Sequence, residues 1–72
     1  MEVYKDLNGD SNVEAYETGN NFISVKFKGS RKTYTYSYQK AGKYHVEQMK
    51  VLAIKGDGLN GYINSNVKFL YD

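Results

Sequence analysis

Residues 33–38 read Thr-Tyr-Thr-Tyr-Ser-Tyr, a strict alternation of small hydroxyls and aromatic rings. Side chains alternate across a strand, so Tyr34, Tyr36 and Tyr38 share one face of an extended segment. The same period of two runs through residues 22–28. There Ile23, Val25 and Phe27 point one way and Ser24, Lys26 and Lys28 the other. Residues 12–18 read as an earlier strand. Residues 1–7, where Val3, Lys5 and Leu7 alternate with Glu2, Tyr4 and Asp6, read as a short further one at the edge. Turn signals separate these runs at Asn8-Gly9-Asp10, Gly19-Asn20-Asn21 and Gly29-Ser30.

Past residue 40 the period lengthens. Ala41, His45, Met49, Leu52 and Ala53 recur at helical spacing, and Gly56 stands where a left-handed C-terminal cap is expected. A second helix follows, with Asp57 or Gly58 near its N-cap and Leu59, Ile63, Val67 and Leu70 as its apolar stripe. The order predicts an α+β fold in one domain spanning residues 1–72. It is a three-stranded antiparallel β-meander, four-stranded if residues 1–7 join. Two C-terminal helices pack on one sheet face.

The hairpin between residues 22–28 and 32–38 decides what the tyrosines do, because register parity sets which side chains share a face. A two- or four-residue turn sets Phe27 opposite Tyr34 and Val25 opposite Tyr36. A three-residue loop would place the tyrosines beside Lys26 and Ser24. The first arrangement makes one face wholly apolar and aromatic and the other wholly polar, and amphipathic consistency favours it. Tyr34 and Tyr36 are then under the helices. Tyr38 at the strand end and Tyr44 at the helix start remain to reach solvent.

Composition narrows the function. The chain has 72 residues, no cysteine and a single histidine, so disulfides and cysteine- or histidine-rich metal sites are excluded. Eight tyrosines supply large buried areas to a domain near the lower size limit for unaided folding. No run approaches a membrane span and the start lacks a basic-then-apolar leader, so a soluble cytoplasmic protein is expected.

The net charge of +2 hides a segregated layout. Residues 1–25 hold one lysine against five acids, residues 26–55 hold eight basic residues against Glu47, and the remainder holds Lys68 against Asp57 and Asp72. A basic middle implies an anionic partner, or contact between the acidic third of one copy and the middle of another.

Motif searches give mostly exclusions. Gly56-Asp57-Gly58-Leu59-Asn60-Gly61 spells G-x-G-x-x-G, but a helix precedes it and no βαβ unit surrounds it. A C-cap glycine and a helix start explain it. The N–H groups of residues 58–60, beside Lys55, are left as a weak anion site. Asp6, Asn8, Asp10, Asn12, Glu14 and Glu17 have the spacing of a calcium loop. Ser11, however, stands where glycine is needed, and a polar turn explains the run better.

His45 has no nucleophile or orienting acid beside it, and a ring bonded to a tyrosine hydroxyl or a backbone carbonyl is expected. Lys43, Glu47 and Lys50 read as a solvated, salt-bridged helix face. No catalytic group, metal or cofactor is expected, and the chain does not read as an enzyme.

What remains is a basic segment interleaved with aromatics, the composition of a nucleic-acid or nucleotide site, where lysines meet phosphates and rings meet bases. The candidate binding residues are Lys26, Lys28, Arg31, Lys32, Lys43 and Lys55 for phosphates, with Tyr38 and Tyr44 for stacking.

The ordered set of Ser11, Val13, Val25-x-Phe27, Tyr34-x-Tyr36, Ala53, Gly56, Gly58, Asn60, Ile63 and Tyr71 resembles the KTSC domain. That domain is a C-terminal appendage of some lysyl-tRNA synthetases and also occurs as short stand-alone proteins. The resemblance covers residues 11–71 and implies the same small fold, with RNA binding as the suggested role. A Val-Pro common after the Tyr-x-Tyr is replaced here near Ala41-Gly42, and Asn64 stands at a commonly basic position.

Two functional expectations result. One is a non-catalytic module binding RNA or a small nucleotide through a lysine- and tyrosine-lined surface. The other is a protein-interaction or self-assembling module. A homo-oligomer sequestering a nucleotide signal at its subunit interface combines the two.

Overall fold

The computed structural model describes residues 1–7, 9 and 11–72. The turn expected at Asn8-Gly9-Asp10, and the calcium-like spacing through Asn8 and Asp10, fall in part outside these residues. Strands β1 (Glu2–Val3), β2 (Val13–Thr18), β3 (Phe22–Phe27) and β4 (Thr33–Ser37) form one antiparallel sheet in the order β1-β2-β3-β4. Helix α1 (Lys43–Lys55) and a shorter α2 (Leu59–Tyr62), extended by a π-helical stretch Ile63–Val67, follow. The α+β meander with two C-terminal helices is therefore present, in its four-stranded form. Among the described residues no helix is long and apolar enough to cross a membrane.

Parity is as the alternation requires, but the ladder is displaced. Val25 pairs with Tyr34 and Ile23 with Tyr36, two residues away from the expected Phe27–Tyr34 and Val25–Tyr36 pairs. The chain turns tightly after Phe27. Gly29 adopts φ 77°, and the Ser30 N–H donates to the Phe27 carbonyl at 3.2 Å, which leaves Phe27 beyond the ladder. A shift of two keeps every side chain on its face, so Tyr36 is still buried in the core.

Strand β2 reaches the same face by a bulge. Val13 pairs with Phe27 and Ala15 with Lys26, so Glu14 is the extra residue, and Val13 and Tyr16 both point inward although three apart.

Helix α1 is rotated from the expected phase. Its core residues are Val46, Met49 and Ala53, with Leu52 and His45 at the flanks. Ala41 is buried but precedes the helix, because Gly42 at φ 98° breaks the backbone before Lys43. Counting Ala41 into the stripe placed His45 where Val46 belongs.

Gly56 ends α1 in the left-handed conformation at φ 81°, and its N–H donates to the Leu52 carbonyl at 2.9 Å. It is needed twice over, since a β-carbon there would stand 2.6 Å from that of Lys5.

Leu59, Ile63 and Val67, spaced by four, are buried along α2 and its π continuation. A strict four-residue repeat drifts around an α-helix of 3.6 residues per turn, and the wider π turn keeps the three residues aligned. Leu70, expected to continue that stripe, lies after the helix and is exposed.

Candidate functional site

A cleft of about 400 Å³ lies where the β3–β4 hairpin end meets α2 and the chain beyond it. Its walls are built from the inward face of the sheet, α2 with its π-helical stretch, and Lys68, Phe69 and Tyr71. Phe27, Tyr34 and Tyr36 come from the strands. Tyr71 closes the ring cluster from the opposite side, with its centroid 4.8 Å from Tyr34 and 6.4 Å from Tyr36, both edge-to-face. Phe27 adds a third edge contact to Tyr34 at 5.8 Å.

The segment after Val67 is held in place by three bonds. The Leu70 N–H donates to the Val67 carbonyl at 2.8 Å, the Asp72 N–H donates to the Thr35 carbonyl at 2.7 Å, and the Ser37 hydroxyl donates to the Asp72 carboxylate at 2.7 Å. The chain thereby runs back against edge strand β4 and lays Tyr71 over the sheet's tyrosines.

The polar complement is mostly neutral. Asn12, Asn60 and Asn64 face the cleft, with the Ser30 hydroxyl. Carboxamides offer paired donors and acceptors, the equipment for reading a planar heterocycle's edge. Among the described residues Lys68 is the one cation of the lining, and its Nζ lies 5.5 Å over the ring of Phe69, which is 76 % exposed at the rim. Buried Tyr36 is pushed up to about 12 by desolvation, with Tyr34 and Tyr71 adding to it, so its phenol stays neutral and is no base at ordinary pH.

The residues expected to bind from sequence separate into four places. Lys28, Arg31 and Lys32 belong to the hairpin loop that also carries Ser30, at the cleft end of the sheet. The Lys28 N–H donates to the carbonyl of cleft residue Asn12 at 2.7 Å, and its Nζ contacts Asp6 at 3.2 Å. Lys26 lies on the outward sheet face, paired with Glu14 at 2.8 Å.

Tyr38, Lys43 and Tyr44 gather at the start of α1, and Lys55 at its end. Tyr38 donates to Glu47 at 2.5 Å, and the ammonium groups of Lys43 and Lys50 sit 5.9 and 5.6 Å over its ring. The Glu47 carboxylate is held below its usual range by the Tyr38 hydroxyl and Lys50, and the same bond pushes the Tyr38 phenol up. Tyr44 is 70 % exposed with its edge toward His45. His45 bonds through Nδ1 to the Tyr62 hydroxyl at 2.6 Å, the partner type its position suggests.

The weak anion site at residues 58–60 loses one of its donors, because the Leu59 N–H donates to the buried Tyr4 hydroxyl at 3.2 Å. The polar recess beside it, of about 220 Å³, includes Asp6 and Asp57, whose carboxylates oppose an anion.

Sequence reasoning missed Asn12, Asn60, Asn64, Lys68, Phe69 and Tyr71. Phe69 and Tyr71, aromatic and out of phase with the stripe that runs to Leu70, are the one signal that pointed there. No family model, no curated protein and no solved structure matches this chain.

Proposed function

We propose that this protein is a non-catalytic binding module for single-stranded RNA or a small nucleotide. The base would enter the aromatic cleft, and the phosphates would lie along the hairpin loop. The observation that carries this reading is the cleft itself. Exposed Phe69 and Tyr71 and half-buried Tyr34 supply ring surface, and three carboxamides supply edge recognition. Bases stack on aromatic side chains with a worth of about 1–3 kcal/mol each, and lysines and arginines neutralise the backbone.

Lys68 at the rim and Lys28, Arg31 and Lys32 on the adjoining loop are the phosphate contacts of this reading. It keeps part of the basic set expected from sequence and moves the stacking role from Tyr38 and Tyr44 to the cleft. The KTSC resemblance supports the same direction.

The test is a titration with mononucleotides and short single-stranded RNA. It is followed by tyrosine emission, which has no tryptophan to mask it. Binding should weaken as salt rises, with a log–log slope of about −0.7 per phosphate contacted. Absence of binding at low salt, or binding with no salt dependence, rejects the proposal.

A further inference from the structure

The two helices cover only the sheet face that carries Ile23, Val25 and Tyr36. The other face is floored by small side chains. Ala15 is 9 % and Ser24 8 % exposed, and the Ser24 and Thr35 hydroxyls bond to one another at 2.8 Å across β3 and β4. Val3 and Phe22 stand on the same side, with Val3 79 % exposed. A floor of small residues with apolar flanks is a surface on which a helix can lie.

The same chain presents an unpartnered helix face. Around α1, successive residues turn by about 100°. Val46, Met49 and Ala53 point to the core, and Tyr44, Val51 and Lys55 point directly away from it. Tyr44, Val51 and Ile54 are 70, 59 and 64 % exposed. Three large apolar side chains on the solvent side of one helix are an interaction surface rather than isolated exposures.

Charge decides between the possible pairings. Helix α1 carries Lys43, Lys50 and Lys55 against Glu47 alone. The outward sheet face carries Glu14, Glu17 and Asp72 against Lys26 and Lys28, and both lysines are already paired, Lys26 with Glu14 and Lys28 with Asp6. Helix against helix sets cation on cation, and sheet against sheet sets anion on anion. Only helix against sheet is complementary.

The spans agree as well. A helix of 13 residues is about 20 Å long, and four strands are about 14 Å across. In such a crossing Lys43 and Lys55, at the helix ends, would be set toward Glu17 on one side of the floor and Asp72 on the other. The Lys43 ammonium would then leave the Tyr38 ring that it covers in the single chain. The basic hairpin loop lies at the opposite end of the strands from Glu17.

We infer that this protein associates with a second copy of itself head to tail, α1 of one chain lying across the outward sheet face of the next. Such a contact is heterologous, so it builds a ring or an open chain rather than a closed pair. The aromatic cleft, on the inward side of the sheet, is left free by it.

Sedimentation velocity at low salt tests this on four proteins. Wild type should show mass rising beyond the dimer with concentration. Lys43→Glu with Lys55→Glu, and separately Glu17→Lys with Asp72→Lys, should each remain monomeric while keeping the wild-type circular dichroism. Mixing the two variants should restore association, because each then offers the face the other needs. The chain carrying all four changes should associate by itself. The inference is overturned by a wild type that stays monomeric, by assembly that stops at a dimer, or by reversal on one face having no effect. It also fails if neither the mixture nor the fourfold variant recovers, since the surface would then serve a different partner.

Discussion

The Tyr4 hydroxyl accepts a hydrogen bond from the Leu59 N–H at 3.2 Å, joining the residue after β1 to the start of α2 across 55 residues. Gly58 precedes that helix without a capping side chain, so a donor that local sequence leaves unsatisfied is met by a buried phenol from far along the chain. Tyr4→Phe keeps the ring and removes the acceptor. It should lower unfolding free energy by about 1 kcal/mol, the usual worth of a helix cap, in urea denaturation. An unchanged midpoint would show that the bond is not formed in solution.

Gly56→Ala should be more damaging. The left-handed backbone disfavours any β-carbon, and here the new atom would meet Lys5 at 2.6 Å. A loss above about 1 kcal/mol is expected, partly relieved in the Gly56→Ala, Lys5→Gly double variant, as a double-mutant cycle would show.

The phase of α1 is open to a direct contrast. Val46 is 0 % exposed and Ile54 64 %. Val46→Ala should cost about 2 kcal/mol by emptying core volume, and Ile54→Ala less than about 0.5 kcal/mol. Equal losses would contradict the helix orientation.

That contrast shows what pattern alone misses. A stripe drawn through Ala41 and His45 has helical spacing, but the helix starts at Lys43, after a glycine whose φ of 98° resets the phase. Likewise, alternation identified which tyrosines face inward, yet a displacement of two residues preserves alternation and so left no trace in it. The cleft was less legible still. Its walls combine Asn12, Tyr34, Asn64 and Tyr71, and neither spacing nor composition relates those positions.

Alkaline pH should destabilise the fold. A phenol raised from about 10 to about 12 is protonated in the native state over a range where the unfolded chain has released its proton. The Tyr36 contribution is therefore fully present below pH 10 and is lost as pH rises toward 12. Two units correspond to a loss on the order of 3 kcal/mol. Burial shifts Tyr16 and Tyr62 in the same direction. Absorbance at the phenolate band should show tyrosines ionising together with unfolding. A smooth titration of all phenols near 10 would refute the buried assignment.

For the cleft, Tyr71→Ala should weaken base binding by about ten- to hundredfold, the worth of one stacking partner. It should also lower the melting temperature by a few degrees, because its ring packs edge-on against Tyr34 and Tyr36. Lys68→Glu should reduce affinity and flatten the salt dependence by about one phosphate contact. Tyr44→Ala, at the far end of α1, should leave nucleotide affinity unchanged. The opposite ranking would return the site to the start of the helix.

By itself the sequence determined the strand and helix order, the inward faces and the glycine that ends α1, because each depends on periodicity or backbone conformation within a few residues. Only the tertiary structure decided the ladder offset, the helix phase, the partner of the Leu59 N–H and the walls of the cleft. Those rest on contacts between residues distant in the chain. Many arrangements satisfy the same local pattern, and close packing against Ile23, Val25 and Tyr36 selects one of them.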